Sequence, residues 1–183
     1  LNNPHIPTAI LIGFGNTIGV IANSFLLNRF IGSAKIFESV TNLITFILFC
    51  TIPGSLISAF TGVTSLLIFG FVPIEVYWSV LLTWCAGEMQ GFIIVAPLLL
   101  TWWDFPKLKI DFYKSVEIFI FCLFMLISSL LAFREQVPLA YLPFPFIIWA
   151  SLRFQKYGAT LAIFFLSGIA VYRTIKGVGP FAV

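Results

Sequence analysis

The stretch from Trp78 to Trp103, WSVLLTWCAGEMQGFIIVAPLLLTWW, constrains this chain more than any other. A tryptophan stands at each end. The indole prefers the membrane–water boundary because its ring is apolar and its N–H seeks a wet partner. As a helix the twenty-six residues reach roughly 39 Å, enough to cross a hydrocarbon layer of about 30 Å with some tilt. Between the flanking tryptophans lies one charge, Glu88, near the middle. A carboxylate at that depth is costly and faces protein or water, which makes it a candidate functional group. Gly87 and Gly91 flank it at the four-residue spacing that lets membrane helices approach closely.

Composition extends this reading to the whole chain. Only 9% of the 183 residues are charged and 60% are hydrophobic, whereas a soluble domain carries about 25% charged residues. There is too little polar material to cover a soluble globule. The fold class is therefore all-α, a polytopic bundle of transmembrane helices, and the lipid bilayer is its first partner. The net charge of +3 does not point to nucleic acid, because the basic residues are spread among loops and form no stripe for phosphates. Cys50, Cys85 and Cys122 lie in separate apolar runs with no CxxC pair, and read as buried free thiols acting as small hydrophobes. The twenty-two phenylalanines read as core packing and lipid-facing surface.

Taken in order, Pro7 to Leu27 is the first span. Gly15, Gly19 and Asn23 recur every four residues and share a face. Two readings stand open for this face. Its small residues admit a neighbouring helix and its asparagines hydrogen-bond across, or Asn16 and Asn23 line a polar cavity. Residues 40–71 stay apolar too long for one simple span. Pro53-Gly54 interrupts them, so a span over 40–61 with a kink near Pro53 is expected, then a shorter interfacial or re-entrant piece to Phe71, with a single long tilted helix as the alternative. The central span covers 78–103, with Trp84, Glu88, Gly91 and Val95 on one stripe and Gln90 pointing elsewhere. Residues 116–133 form the next span. Pro138, Pro143 and Pro145 punctuate 138–152. Fully helical, that segment would reach only about 22 Å, so it reads as re-entrant or as a short buried helix ending near Trp149 and Arg153. The final span covers 158–173, and Gly177-Val178-Gly179-Pro180 stops it. One domain of about five spans plus a broken segment results.

No soluble-enzyme constellation is present. The one histidine, His5, lies outside the spans, which removes a histidine-based triad, HExxH and a histidine ligand for haem. No phosphate-binding glycine loop stands between a strand and a helix. The chain is expected not to be an enzyme, and the sequence implies no metal and no cofactor.

Trp84-x-x-Gly87-Glu88-x-x-Gly91-x-x-x-Val95-Ala96-Pro97-Leu98-Leu99-Leu100 resembles the signature of the MASE1 family, bacterial membrane-associated sensor domains. The resemblance continues at Leu142-Pro143-Phe144-Pro145-Phe146-Ile147-Ile148-Trp149-Ala150-Ser151-Leu152-Arg153-Phe154 and at Gly177-Val178-Gly179-Pro180-Phe181. Gly15-Asn16 and Leu26-Leu27 fit more loosely. The family usually has Asp where this chain has Glu88, a change that keeps the charge and moves it by a methylene. The resemblance implies a sensory input domain in a bacterial cell membrane, working on a cytoplasmic kinase or cyclase output outside these residues, with a homodimer as one arrangement. It also implies that the chain is a fragment lacking its first spans. Two rivals stand beside it, an accessory subunit of a larger membrane complex and a transporter-like carrier.

Orientation follows from Lys and Arg. If 138–152 does not cross, Arg29, Lys35, Lys107, Lys109, Lys114, Arg173 and Lys176 share one side, which is then cytoplasmic together with the C-terminus. Arg134, Arg153 and Lys156 fall on the other. The residues that would read a ligand or pass a signal are Asn16, Asn23, Trp84, Glu88, Gln90, Trp149 and Arg153, with Arg153 as the natural counter-charge for Glu88. Gly15, Gly19, Gly87 and Gly91 would pack helices.

Overall fold

The computed structural model of the chain describes residues 5–32, 35–103, 112–132, 139 and 141–177. All regular elements among the described residues are helical. Five helical runs are long and apolar enough to cross a membrane: Ile6–Phe30, Val40–Ile68, Ile74–Trp103, Phe112–Ala132 and Phe144–Ile175. In lipid each backbone polar group must be paired inside its own segment, and helices achieve this. Phe14, Phe25 and Phe60 stand exposed on them, as lipid-facing side chains do. The protein is a multi-pass membrane protein. Its residues form two compact units, Leu1–Ala96 and Pro97–Val183.

The first unit is built on the pairing of α1 (Ile6–Phe30) with α3 (Ile52–Ile68). Glycine makes the pairing close. A methyl group built at Gly15 would stand 1.8 Å from Thr61 Oγ1, and one at Gly19 would stand 2.6 Å from the Gly54 carbonyl oxygen. At Gly54 it would stand 2.1 Å from Asn23 Oδ1. The asparagines lock the same contact. The Gly54 N–H donates to Asn23 Oδ1 at 3.0 Å, and Ser58 Oγ donates to Asn16 Oδ1 at 2.7 Å. Of the two readings of this face, the structure realises helix packing.

Before α3 come the short helix α2 (Val40–Thr45), capped by Ser39 Oγ accepting from the Asn42 N–H at 3.1 Å, and a π-helical turn over Phe46–Thr51. The turn sits just ahead of Pro53 for a reason. Proline has no N–H to offer the carbonyl four residues back, and its ring crowds that carbonyl. Widening the preceding turn by one residue absorbs the defect. Thr51 Oγ1 donates to the Phe46 carbonyl at 2.9 Å across it. Because the turn absorbs the proline, the alternative of one long helix is realised, and the run does not end near Thr61 with a separate piece to Phe71. It continues to Ile68 and stops at Gly70, whose φ of +75° turns the chain. Helix α4 (Tyr77–Trp103) then runs through Pro97 without a break.

The second unit pairs α5 (Phe112–Ala132) with α6 (Phe144–Ile175). Gln155 interrupts α6 with φ 54° and ψ −145°, a conformation nearly reserved for glycine. The interruption is a reversal. A methyl group built at Gly158 would stand 2.9 Å from the Ala150 carbonyl oxygen, whereas eight residues of straight helix separate such atoms by roughly 10 Å. Ala162 is buried in one cluster with Ala150, Phe121 and Met125. The arm 144–154 therefore runs antiparallel to α5, with Arg153 against Glu117, Trp149 against Phe121 and Phe146 against Phe124. The arm 156–175 returns beside it.

This outcome keeps part of the sequence reading of 138–152 and corrects the rest. The segment does hold a short helix, which begins at Phe144, while Pro138 and Ala140 lie outside the described residues. It is buried on one face only, since Phe144, Ile148 and Leu152 are exposed. The assignment of sides changes as well. The reversal at Gln155 lies at the end of the unit where α5 begins, so Arg153 and Lys156 join Lys114 at that end. The return arm carries Arg173 and Lys176 to the opposite end. The sequence reading, which put the C-terminus on the side of the 104–114 loop, assumed that the last helix continues away from the break. Lys107, Lys109, Arg134 and the stop at Val178-Gly179-Pro180 lie outside the described residues. Cys122 also departs from expectation, being exposed while Cys50 and Cys85 are buried.

Two measurements check this architecture. Gly54→Ala should lower the stability of the detergent-solubilised protein by about 1–3 kcal/mol through overpacking of α1 against α3, while Gly87→Ala, where a methyl meets no described atom within 4 Å, should be close to neutral. Spin labels at the exposed positions Ile148 and Phe165 should report backbones on the order of 10 Å apart, the spacing of packed helices, against roughly 26 Å in a continuous helix.

Candidate functional site

Helical spacing puts Tyr77, Leu81, Trp84, Cys85, Glu88 and Phe92 on one side of α4. Most of that side packs on α3 and the turn before it. Tyr77, Leu81 and Cys85 are buried with Ala59 and Val63. The Tyr77 and Thr64 hydroxyls are 2.9 Å apart. The Trp84 indole lies over Gly62, where a methyl group would come within 3.0 Å of the ring. Phe92 stacks on Phe46 with centroids 5.7 Å apart. These contacts set α4 antiparallel to the run from Phe46 to Thr64.

Glu88 lies on this side of α4, one turn from Trp84 and one from Phe92. On α3, Ser55 and Ala59 share a stripe with Gly62 at i, i+4 and i+7. Ser55 is 2% exposed, and its hydroxyl has no hydrogen-bond partner among the described residues. Most buried hydroxyls are satisfied, because leaving one unpaired costs about 1–3 kcal/mol. Glu88 itself is half-buried, and among the described residues no hydrogen bond or ion pair reaches its carboxylate. The candidate site is therefore the mid-span Glu88 carboxylate on α4, with the rings of Trp84 and Phe92 one helical turn to either side.

The residues singled out in the sequence divide between roles. Trp84 and Glu88 belong to this face. Asn16 and Asn23 are spent on the contact between α1 and α3, as are Gly15 and Gly19. Gln90 is exposed and points away from α3, and Gly87 and Gly91 are exposed with no described atom within 4 Å of an added methyl. Gly91 and Val95 keep their helical spacing with Trp84 and Glu88 but are exposed, while Phe92 makes the next contact, on Phe46. Arg153 does not serve as the counter-charge of Glu88. Its Nε pairs with Glu117 Oε1 and its Nη2 donates to Glu117 Oε2 at 2.9 Å. Trp149 packs edge-on against Phe121 with centroids 5.5 Å apart. Both residues therefore hold α6 to α5. Among the described residues no three metal-ligating side chains stand together.

Sequence reasoning missed Ser55, Phe92 and Glu117. Phe92 was detectable as the residue one turn beyond Glu88. Ser55 gave no signal, since a serine two residues after a proline reads as an ordinary part of the helix start. Glu117 was counted as the edge of an apolar run.

A scan against family models matches the MASE1 model over residues 3–183. No curated protein and no solved structure matches the chain. Five candidate spans, the central tryptophan-flanked helix with its carboxylate, and a match over nearly the whole length agree: the chain belongs to the MASE1 family of membrane-associated sensory domains.

Proposed function

We propose that the chain is the membrane-embedded sensory input of a bacterial signal-transduction protein, and that the side of α4 around Glu88 is where the signal is read. The single observation that carries the location is a half-buried mid-span carboxylate, Glu88, that no hydrogen bond or ion pair reaches among the described residues. A group in that state responds to whatever enters beside it. Ligand binding there would act on α3, and α3 is clamped to α1 by Asn23 and Ser58, so a shift at the site would move both helices. The chemistry of the output, a kinase or cyclase in the cytoplasm, lies outside this chain, and the chain itself performs no catalysis.

One observation favours the carrier reading. A reversal such as that at Gln155 is the kind of broken helix that carriers place at substrate sites. The two readings separate in one experiment on the intact receptor in cells. Glu88→Gln should lock or shift the output, measured as cyclic-nucleotide level or phosphorylation, by about tenfold, the size of a typical coupling free energy of 1–3 kcal/mol. Gln155→Gly should leave it near wild type. An unchanged output in Glu88→Gln at equal membrane abundance would remove the input-site reading. Solute accumulation that depends on Gln155 would establish the carrier.

A further inference from the structure

We propose that the end of the second unit where the reversal in α6 meets the start of α5 binds the headgroup of an anionic phospholipid. No residue on the Glu88 side of α4 takes part, so the inference stands apart from the input-site reading. It starts from a count of charges. Lys114 lies three residues before Glu117 on α5, close enough to act on its carboxylate. Arg153 pairs with the same carboxylate through Nε and Nη2. Lys156 follows Arg153 across the reversal, and three residues of chain reach at most about 11 Å. Three cations thus gather around one carboxylate, which leaves two positive charges in excess. The excess is accessible. Lys114 and Lys156 are exposed, and neither forms an ion pair among the described residues. The Arg153 side chain is 56% exposed. A guanidinium has five N–H donors, and Arg153 gives two of them to Glu117, so three remain for an incoming acceptor.

The surroundings set these charges at headgroup level. Trp102 Nε1 donates to Thr160 Oγ1 at 3.3 Å, and its ring meets Tyr157 edge-on with centroids 6.0 Å apart. Lys156 Nζ lies 5.6 Å from the Tyr157 centroid. Indole and phenol rings settle at the membrane–water interface, so this aromatic pair ties the end of α4 and the start of the return arm to one boundary and holds Lys156 there. Guanidinium and ammonium groups form short charge-assisted hydrogen bonds to phosphate, and basic pockets between membrane helices take anionic headgroups. Apolar surface continues from the charges. Ile148 and Leu152, on the arm that ends at Arg153, are exposed and offer acyl chains a place to lie. A free phosphate would use the charges and leave that surface idle, which favours a lipid.

The test uses the full-length protein in detergent micelles, with bound lipid counted by native mass spectrometry. The probes are dioleoyl phosphatidylglycerol, dioleoyl phosphatidylcholine as its zwitterionic counterpart with the same chains, and inorganic phosphate. Phosphatidylglycerol should bind saturably and about tenfold or more tightly than phosphatidylcholine. A basic side chain beside an anionic lipid surface is worth roughly fivefold in affinity. Lys114→Gln combined with Lys156→Gln should therefore weaken phosphatidylglycerol binding on the order of 25-fold and leave phosphatidylcholine unchanged. Lys114→Arg combined with Lys156→Arg should keep binding within a few-fold. Arg29→Gln combined with Lys176→Gln removes the same charge elsewhere and should leave binding near wild type, although Lys176 rests on Tyr172 at 6.0 Å much as Lys156 rests on Tyr157. Each variant is compared at equal monodispersity and helix content. The proposal is overturned if phosphatidylglycerol binds no more tightly than phosphatidylcholine, or if the folded glutamine variant of Lys114 and Lys156 binds it as well as wild type. It is overturned equally if the Arg29 and Lys176 variant loses as much, or if millimolar inorganic phosphate displaces the lipid, which would make the site one for free phosphate.

Discussion

The close approach of α1 and α3 is the contact on which the first unit depends. Inside a bilayer there is no hydrophobic drive to bring two apolar helices together, because lipid tails are as apolar as leucine. What remains is surface fit and hydrogen bonding. Gly15, Gly19 and Gly54 supply the fit by removing side chains where the backbones meet. Asn23 and Asn16 supply the hydrogen bonds. The Asn23 bond does a second job. It takes up the Gly54 N–H just past the π turn and Pro53, where the regular helix ladder is disturbed. The proline defect and the asparagine on the neighbouring helix are complementary, and each would be less tolerable without the other.

With α3 fixed by α1, the neighbouring stripe, about 100° round the helix, becomes a firm surface for α4. Tyr77, Leu81, Trp84 and Cys85 pack against that stripe as ordinary core. The packing changes character one turn further along, at Glu88, where an acid takes the place of an apolar side chain. A stretch of good packing that ends in an unpaired carboxylate separates a site from a mere flaw, because the neighbouring contacts hold its geometry. The second unit shows the opposite solution. There Arg153 and Glu117 satisfy each other, with rings of Phe121, Trp149 and Phe154 beside them, and the charges are consumed in structure.

Much of this was legible in the sequence, and the reasons for the gaps are physical. Hydropathy and tryptophan placement locate spans because the bilayer imposes one length scale on every crossing. The period of four in Gly15, Gly19 and Asn23 announced a packing face, although spacing alone could not say whether the asparagines bond a helix or line a cavity. Gly87 and Gly91 carry the same period, yet no described residue meets them, so small-residue spacing signals capacity for contact and not contact itself. The pairing of Glu88 with Arg153 failed because a single sequence shows which charges exist and not which are already taken. Glu117 was hidden by sitting at the start of an apolar run. The path of 138–175 was half legible. Prolines announced a broken segment, but a chain reversal at Gln155, a residue with no turn preference to advertise it, leaves no trace in composition.

That reversal bears on how the protein is made. The arm 144–154 is about 16 Å long as a helix, too short to hold a place across a bilayer, and it carries a guanidinium at its far end. It has no stable position in lipid until α5 is there to receive it, with Glu117 ready for Arg153 and an aromatic surface ready for Trp149 and Phe154. The two arms of α6 are thus bound to settle together and after α5, as a late-docking pair and not as a segment inserted in its turn. In a cell, the interval between synthesis of α5 and docking of that pair is when this half of the protein is most exposed to misassembly and to proteases that survey the membrane.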